Sequence, residues 1–331
     1  MTRRTGWFAA ALALTTAAAA LSLAVGTRPV PLPAVLDALA HGAGPADPDV
    51  LVVRSLRVPR TETGLAAGAA LGIAGAALQA VSRNPLADPG ILGLSQGAAA
   101  GVVLAISFGL ANGFDGYVWY AFAGACLAAC VVYAIASRGR GGATPVKLAL
   151  AGTAFAAMTT GATTVVLTSS SAALDQFRFW QAGSLSGRDP QTVVRMLPFL
   201  IGGALLVLAC ARGLDTLALG DETARALGQR VPLVRGGAAL GATVLTAAAV
   251  AAAGPVAFIG LAAPHLARRL VGGAHRQVFP LSALLGAALL LAADVVGRVV
   301  RAPAEVPAGV MTALIGAPVL IVLVRRKGVP A

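Results

Sequence analysis

Apolar stretches of roughly membrane-spanning length recur along the chain, and short polar stretches separate them. A helix needs about 20 mainly apolar residues to cross a membrane. The pattern therefore predicts an all-α polytopic membrane protein with about ten transmembrane helices. The predicted segments are 6–26, 62–82, 91–110, 117–137, 147–168, 193–211, 236–253, 256–267, 278–297 and 306–324.

Composition supports this interpretation. Of the 331 residues, 57% are hydrophobic and 11% are charged, whereas soluble domains carry about 25% charged residues. We predict one transmembrane domain over 1–331. The net charge of +12 would indicate nucleic acid on a soluble protein. Here the arginines fall in loops, so we expect membrane lipid around the chain and no nucleic-acid partner.

The positive charges also predict the orientation. If the first segment begins in the cytoplasm and each segment crosses once, 16 Lys and Arg residues lie inside and 9 outside. Inner loops carry the excess of basic residues in membrane proteins. Both termini are therefore predicted to be cytoplasmic. Arg3 and Arg4 before the first segment would also suit a signal peptide, but the nine segments that follow favour an uncleaved first helix.

Two outer polar stretches predict short helices on the surface. The first covers 30–40 and begins near Pro33, and the second lies within the Ser-rich and then aromatic stretch 169–192.

A weak internal repeat is also present, because the run Gly72-Ile73-Ala74-Gly75 is similar to the run Ala251-Ala252-Ala253-Gly254. The two segments are predicted to run in opposite directions, as an inverted repeat requires.

A polar, proline-flanked loop, 84–89, follows Arg83 at the inner end of the second segment. Pro85 and Pro89 keep the backbone extended, and Asn84 and Asp88 place polar groups there. Such a loop between apolar helices is costly in lipid unless it lines a water-filled path. The pattern indicates the mouth of a transport pathway, and the plainer alternative is an ordinary helix-breaking loop.

A second inner loop, about 214–231, is predicted to form two short helices. Gly220 is placed to end the first helix, Asp221 and Glu222 favour the start of the second, and Gly228 ends it. Apolar side chains in a cytoplasmic loop indicate docking into the groove of a partner. The alternative is packing against the protein's own inner surface. The apolar residues in question are Leu217, Leu219, Ala224 and Leu227.

Arginines also cluster at the outer ends of two segments, against the general charge bias. Arg54, Arg57 and Arg60 precede the second segment, and Arg298 and Arg301 end the ninth. A basic outer patch would attract an acidic partner. Contact with lipid phosphate is the alternative.

Two acidic residues lie beside this arginine cluster. Intramembrane acids are candidate functional groups. For Asp294 and Glu305, however, we favour local pairing with Arg298 or Arg301.

Sequence motifs for catalysis are missing. The two lysines, Lys147 and Lys327, follow no glycine-rich phosphate loop, and no metalloprotease or Ser/His/Asp motif occurs. We therefore expect no enzyme activity and no cofactor in this chain. If ATP drives transport, another chain must bind it. A secondary transporter using Asp88, Asp294 or Glu305 is the rival hypothesis, and a membrane scaffold is the third.

Several long runs resemble the FecCD-type permeases, the membrane subunits of ATP-driven importers of iron–siderophore complexes, haem and cobalamin. The similarity extends from about Pro31 to Lys327. The runs are RVPR at 57–60, GAALGIAGAALQ at 68–79, NPLADPGILGLSQGAA at 84–99, LALGDETARALG at 217–228, GPVAFIGLAAPHLARRL at 254–270, AD at 293–294 and EVPAGVMTALIGAPV at 305–319.

The resemblance implies a type II ABC importer permease fold with an inverted repeat. It also implies a dimer of identical or sister permeases, with the pathway between them. Two cytosolic ATPase subunits would carry ATP and Mg, and a substrate-binding protein would dock outside. The implied cargo is an iron–siderophore complex, with cobalamin and haem as alternatives, and the implied location is the cytoplasmic membrane of a bacterium.

The resemblance also assigns residue roles. Arg57, Arg60 and Arg298 match positions that dock the binding protein. An inner gate is implied at Asn84 and Leu86, and a second gate at Thr144 and Pro145, where the local letters depart from relatives. The remaining matches form the loop that contacts the ATPase: Gly220, Asp221, Glu222, Ala224, Leu227 and Gly228.

Overall fold

Helices make up the framework of the protein. A computed structural model describes residues 2–27, 30–40, 48–88, 90, 93–110, 113–138 and 144–326, and within these ranges no strand occurs. The helices are α1 (Thr2–Ala24), α2 (Leu32–Ala40), α3 (Pro48–Val52), α4 (Val58–Ser82), α5 (Leu94–Ser107), α6 (Gly113–Ser137), α7 (Pro145–Thr168), α8 (Ser171–Gln181), α9 (Gln191–Leu217), α10 (Asp221–Ala226), α11 (Val231–Ala253), α12 (Ile259–Val271), α13 (His275–Val300) and α14 (Ala308–Arg326).

Each of the ten predicted segments coincides with a helix. Within the described residues, seven helical stretches are long and apolar enough to cross a membrane. They are α1, α6, α7, α9, α11, α13 and the stretch that ends with α4. The other three segments form the shorter helices α5, α12 and α14. The all-α polytopic prediction is confirmed.

The second segment is longer than its apolar pattern predicted. A π-helical turn, Val53–Arg57, joins α3 to α4, so one helical stretch runs from Pro48 to Ser82. The predicted segment begins only at residue 62 because three arginines precede it, at positions 54, 57 and 60. Helical backbone continues through this stretch because partners inside the protein satisfy Arg54, which donates to the carbonyl of Ala38 at 2.7 Å, and, as described below, Arg57 and Arg60.

Three helices occupy the centre of the bundle. In α4, α11 and α13, between 67% and 78% of the spanning residues are buried, against 17% to 28% in α1, α6, α7 and α9. The central helices are rich in Ala and Gly. Small residues let helix backbones approach closely in lipid, where water provides no drive for association.

Glycines make the closest helix contacts possible. A Cβ added at Gly72 would lie 2.1 Å from the carbonyl oxygen of Ser282, and one at Gly75 would lie 2.0 Å from that of Gly260. Real atoms do not approach so closely, so any side chain there would push backbones apart. These two glycines fix how α4 packs against α13 and α12.

The architecture repeats itself with opposite polarity. α4 has 25 residues, and a loop and the 14-residue α5 follow it. α11 has 23 residues, and a loop and the 13-residue α12 follow it. The last turn of α4 and the first of α11 line the same cavity, so the two helices are antiparallel. This arrangement agrees with the predicted inverted repeat.

We predict that Gly75→Ala destabilises the protein by about 1–3 kcal/mol, since a methyl group must displace the backbone of α12. Gly161→Ala is the matched control, because a Cβ at Gly161 meets nothing within 4 Å. The free energy of unfolding in detergent, followed by tryptophan fluorescence, measures both. Equal stability of the two variants would contradict the close contact.

Candidate functional site

A buried ion-pair network lies where α4 begins and α13 ends, and we call this place the arginine end. Asp294 is fully buried and accepts hydrogen bonds from two arginines. Arg60 donates to it from Nη2 at 2.8 Å and from Nε at 2.9 Å, while Arg298 donates from Nε at 3.1 Å and also from Nη2. Arg60 Nη1 also reaches Glu305 Oε2 at 2.7 Å.

The carbonyls at the end of α1 complete the network. The last four carbonyls of a helix have no partner within it. Arg298 Nη1 donates to the carbonyls of Ser22 and Val25, at 2.7 and 2.8 Å. Arg57 Nη1 donates to the two carbonyls between them, those of residues 23 and 24, both at 2.7 Å. The two arginines thus cap α1, and their positive charge suits its carboxyl end.

The structure places these arginines inside the molecule. Arg57, Arg60 and Arg298 are each less than 10% exposed, so they do not form the exposed basic patch that their sequence positions suggested. Their role in docking a binding protein stays a prediction. The predicted pairing of Asp294 with Arg298 is confirmed. The described partner of Glu305 is Arg60, which is distant in sequence.

A second charge cluster lies at the opposite end of α4, and we call this the Asp221 end. Asp221 is the first residue of α10 and accepts from Arg235 Nη2 of α11 at 2.8 Å. Its Oδ1 also accepts from Arg83, which ends α4 in the left-handed conformation, with φ of 51°. One carboxylate of the predicted coupling loop therefore joins the end of α4 to the first turns of α11.

The coupling loop contains one short helix instead of two. α9 continues to Leu217, so the first predicted helix is its last turn. Gly220 precedes α10 with φ of 112°, and Gly228 follows it with φ of 79°, both in the region that favours glycine. Ala224 is fully buried, whereas Leu219 and Leu227 are more than 60% exposed. Two apolar side chains beside α10 thus face outward.

The two predicted gates are well-formed local motifs. Asn84 Oδ1 accepts from the N–H of Leu86 at 2.9 Å, which is an Asx turn, and both residues are exposed. Thr144 is the N-cap of α7, and Pro145 follows at its first position, where proline is favoured. These contacts explain the local sequence. Their gating roles stay predictions.

A cavity of about 710 Å³ lies at the Asp221 end. Asn84 and Asp88 line it from the loop after α4, Val146 from α7, and Arg225 and Arg235 from the α10–α11 region. Burial raises the pKa of Asp88, and the N–H of Gly90, 2.8 Å from its Oδ1, opposes that rise. The predicted gate loop after α4 and the predicted coupling loop, which are far apart in sequence, therefore line the same cavity.

Sequence reasoning missed two contacts between helices. Asp215 Oδ1 of α9 lies 2.6 Å from His275 Nδ1 and accepts the N–H of His275 at 2.9 Å, at the start of α13. Arg268 of α12 donates to Oε1 of the buried Gln79. The signal available in the sequence was the placement of single charges at segment ends. It does not tell which ends meet.

No group of three or more His, Cys, Asp or Glu side chains that could hold a metal ion occurs in the described ranges. Within each of the two clusters, the carboxylates pair with arginines of the same cluster. These ion pairs join helices and loops at the two ends of α4.

Comparison with known proteins places this chain among transport permeases. The sequence pattern of the FecCD transport family matches residues 14–326. The ferric enterobactin transport system permease protein FepD of Escherichia coli (strain K12) is 47% identical, over 94% of this chain and 92% of its own. The iron(3+)-hydroxamate import system permease protein FhuB of Bacillus subtilis (strain 168) is 41% identical, over 96% of this chain and 82% of its own.

A solved structure shares the whole fold. It is a chain of a metal-chelate type ABC transporter in an inward-facing conformation, with a TM-score of 0.84 and 28% identity. The match covers 98% of this chain and 99% of the other.

We predict that Asp294→Asn destabilises the protein by about 3–5 kcal/mol, because it leaves the buried guanidinium of Arg298 without its carboxylate and Arg60 with Glu305 alone. Asp175→Asn is the matched control. Asp175 pairs with Arg178 at 3.5 Å, and both side chains are mostly exposed, so the expected change is within about 0.5 kcal/mol. Unfolding in detergent measures both variants. A mild effect of Asp294→Asn would show that the network contributes little to stability.

Proposed function

The chain belongs to the FecCD transport family, and we propose that it is the membrane-spanning permease subunit of an ABC importer for an iron–siderophore complex. The observation that carries this proposal is the 47% identity to a ferric enterobactin permease over nearly the full length of both chains. The ten helices and the inverted repeat supply the membrane passage. The cargo is a ferric siderophore.

The partners follow from the family. We propose that two such permeases form a dimer around the pathway, as a homodimer or with a sister subunit. Two cytosolic ATPase subunits bind ATP and Mg, and this chain binds neither. A substrate-binding protein delivers the cargo from outside. The subunit lies in the cytoplasmic membrane with both termini inside, as the excess of basic residues in the predicted inner loops supports.

Asp221 supports a specific route of coupling. α10 is a small helix with the outward-facing Leu227 beside it, which suits docking into a groove of an ATPase. Movement of α10 would pull on Arg83 and Arg235 through the shared carboxylate. Arg83 directly precedes Asn84, so the pull reaches the proposed inner gate. We propose that ATP-driven closure of the ATPases is transmitted along this path.

At the outer face, we propose that the binding protein docks over the arginine end. Because Arg57, Arg60 and Arg298 are buried, we propose that they contribute to docking indirectly. They hold the ends of α1, α4 and α13 in fixed register, and this register shapes the surface that a partner meets. Direct contact then falls to exposed groups such as Arg301.

An ion-driven secondary transporter is the rival. It would need a carboxylate free to bind and release its ion. Asp294 is committed to two arginines and Glu305 to one, which argues against both as carriers. The two hypotheses differ in their energy source, so they are separable by experiment.

The first test is uptake of ⁵⁵Fe-labelled siderophores by iron-starved cells with and without this chain. We expect uptake that disappears with the deletion and on ATP depletion, but survives a protonophore while ATP is maintained. Catecholate, hydroxamate and citrate complexes are compared in parallel. Uptake that follows the proton gradient would favour the rival, and loss of labelled cobalamin or haem uptake instead would reassign the cargo.

We predict that Asp221→Asn lowers ATP-driven uptake about fivefold, which corresponds to about 1 kcal/mol from two partly exposed bridges. Membrane levels and ATPase co-purification should stay normal, because the apolar contacts beside α10 remain. Asp175→Asn, on the opposite side of the protein, is the control. Normal uptake in Asp221→Asn would exclude this route of coupling, whereas lost co-purification would place the residue in docking.

A further inference from the structure

The cavity at the Asp221 end has the features of a lipid site. Its volume of about 710 Å³ falls in the range of small-molecule pockets, about 300–1,000 Å³. Most of its lining is apolar. The apolar and small residues come from four helices and include Val81 of α4, Val132 of α6, Val146 and Leu150 of α7, and Gly236 of α11.

The cavity is deep and has an open flank. Along α11 its lining runs from Val231 to Thr243, thirteen residues that span about 18 Å of helix rise. Tyr133, Val146 and Leu150 line it and are each more than half exposed. It therefore extends from the end of the bundle well into the spanning region. A small polar ligand gains little from such depth, whereas an acyl chain can bury its apolar surface along a wall of this length.

Two arginines lie at the end of this apolar space. Arg225 is exposed, and Arg235 is partly buried. Arg235 Nη2 binds Asp221, but its buried Nε has no hydrogen-bond partner among the residues that the structure describes. Asp88 also faces the cavity. Its Oδ1 accepts the N–H of Gly90, and burial favours its neutral form, so it opposes an anion weakly.

We propose that this cavity binds an anionic phospholipid, with one acyl chain along the apolar walls and the phosphate at Arg225 and Arg235. Basic pockets between membrane helices recognise such head groups. The proposal requires only that the helices span a membrane, so it stands independently of the transported cargo. Because Asn84 and Arg235 line the same cavity, the lipid would occupy the space between the gate loop and the coupling loop.

Native mass spectrometry of the full-length chain in detergent tests the site. The probes are phosphatidylglycerol, phosphatidylcholine with the same acyl chains, and soluble glycerol 3-phosphate. We expect retention of phosphatidylglycerol in preference to the other two. Equal retention of the two lipids would overturn recognition of the anionic head group. Binding of glycerol phosphate as tight as that of the lipid would overturn the role of the acyl chain.

Two substitutions locate the bound lipid. Arg225→Gln should weaken phosphatidylglycerol binding about fivefold, the equivalent of about 1 kcal/mol per arginine. Gly236→Leu should abolish retention by filling the cavity, and it should fold, because a Cβ at Gly236 meets nothing within 4 Å.

Arg276→Gln and Gly202→Leu are the matched controls. Arg276 is exposed outside the cavity lining, and Gly202 has equally open space on α9. Both should bind as the unmodified chain does. Undiminished binding in Arg225→Gln and Gly236→Leu would show that the lipid sits elsewhere and would overturn the proposal.

Discussion

The carboxylate of Asp294 is the interaction on which the arginine end depends. It is fully buried and neutralises Arg60 and Arg298, which come from two central helices. Its partner Arg298, together with Arg57, satisfies all four carbonyls from Ser22 to Val25 at the end of α1. Without the acid, Arg298 would lose its paired carboxylate inside an apolar bundle, which is expensive, and Arg60 would keep only Glu305. One side chain therefore makes it possible for the ends of α1 and α13 and the start of α4 to meet in the protein interior.

The Asp221 end uses the same chemistry for another purpose. Asp221 also joins two arginines from two central helices, but its side chain and that of Arg83 are partly exposed. Exposed ion pairs contribute little to stability and are easily remade. The buried cluster suits a permanent joint, and the exposed one suits a joint that changes with a partner's state. The difference lies in burial, because the residue types are the same.

Much of the fold was predictable from the sequence, because hydropathy alone decides where helices enter lipid. The ten segments and the surface helices α2 and α8 appear where the pattern placed them. The position of the arginines was not predictable in this way. Charge excess at a segment end indicates either a surface patch or buried pairing. Only the meeting of Arg60 with Asp294, 234 positions away, decides between them, and no local pattern records such a meeting. The roles of the gates rest on resemblance, since local capping contacts account for Asn84 and Thr144 equally well.

The glycine contacts of α4 limit how this protein can change shape. Where a carbonyl oxygen of α12 or α13 occupies the place of a missing side chain, the helices cannot rotate or slide without collision. Packed interfaces of this kind move between discrete arrangements or not at all. We therefore expect α4, α12 and α13 to travel as one rigid body during transport. Relative motion is then confined to the peripheral helices α6, α7 and α9, whose surfaces are mostly exposed in the single chain.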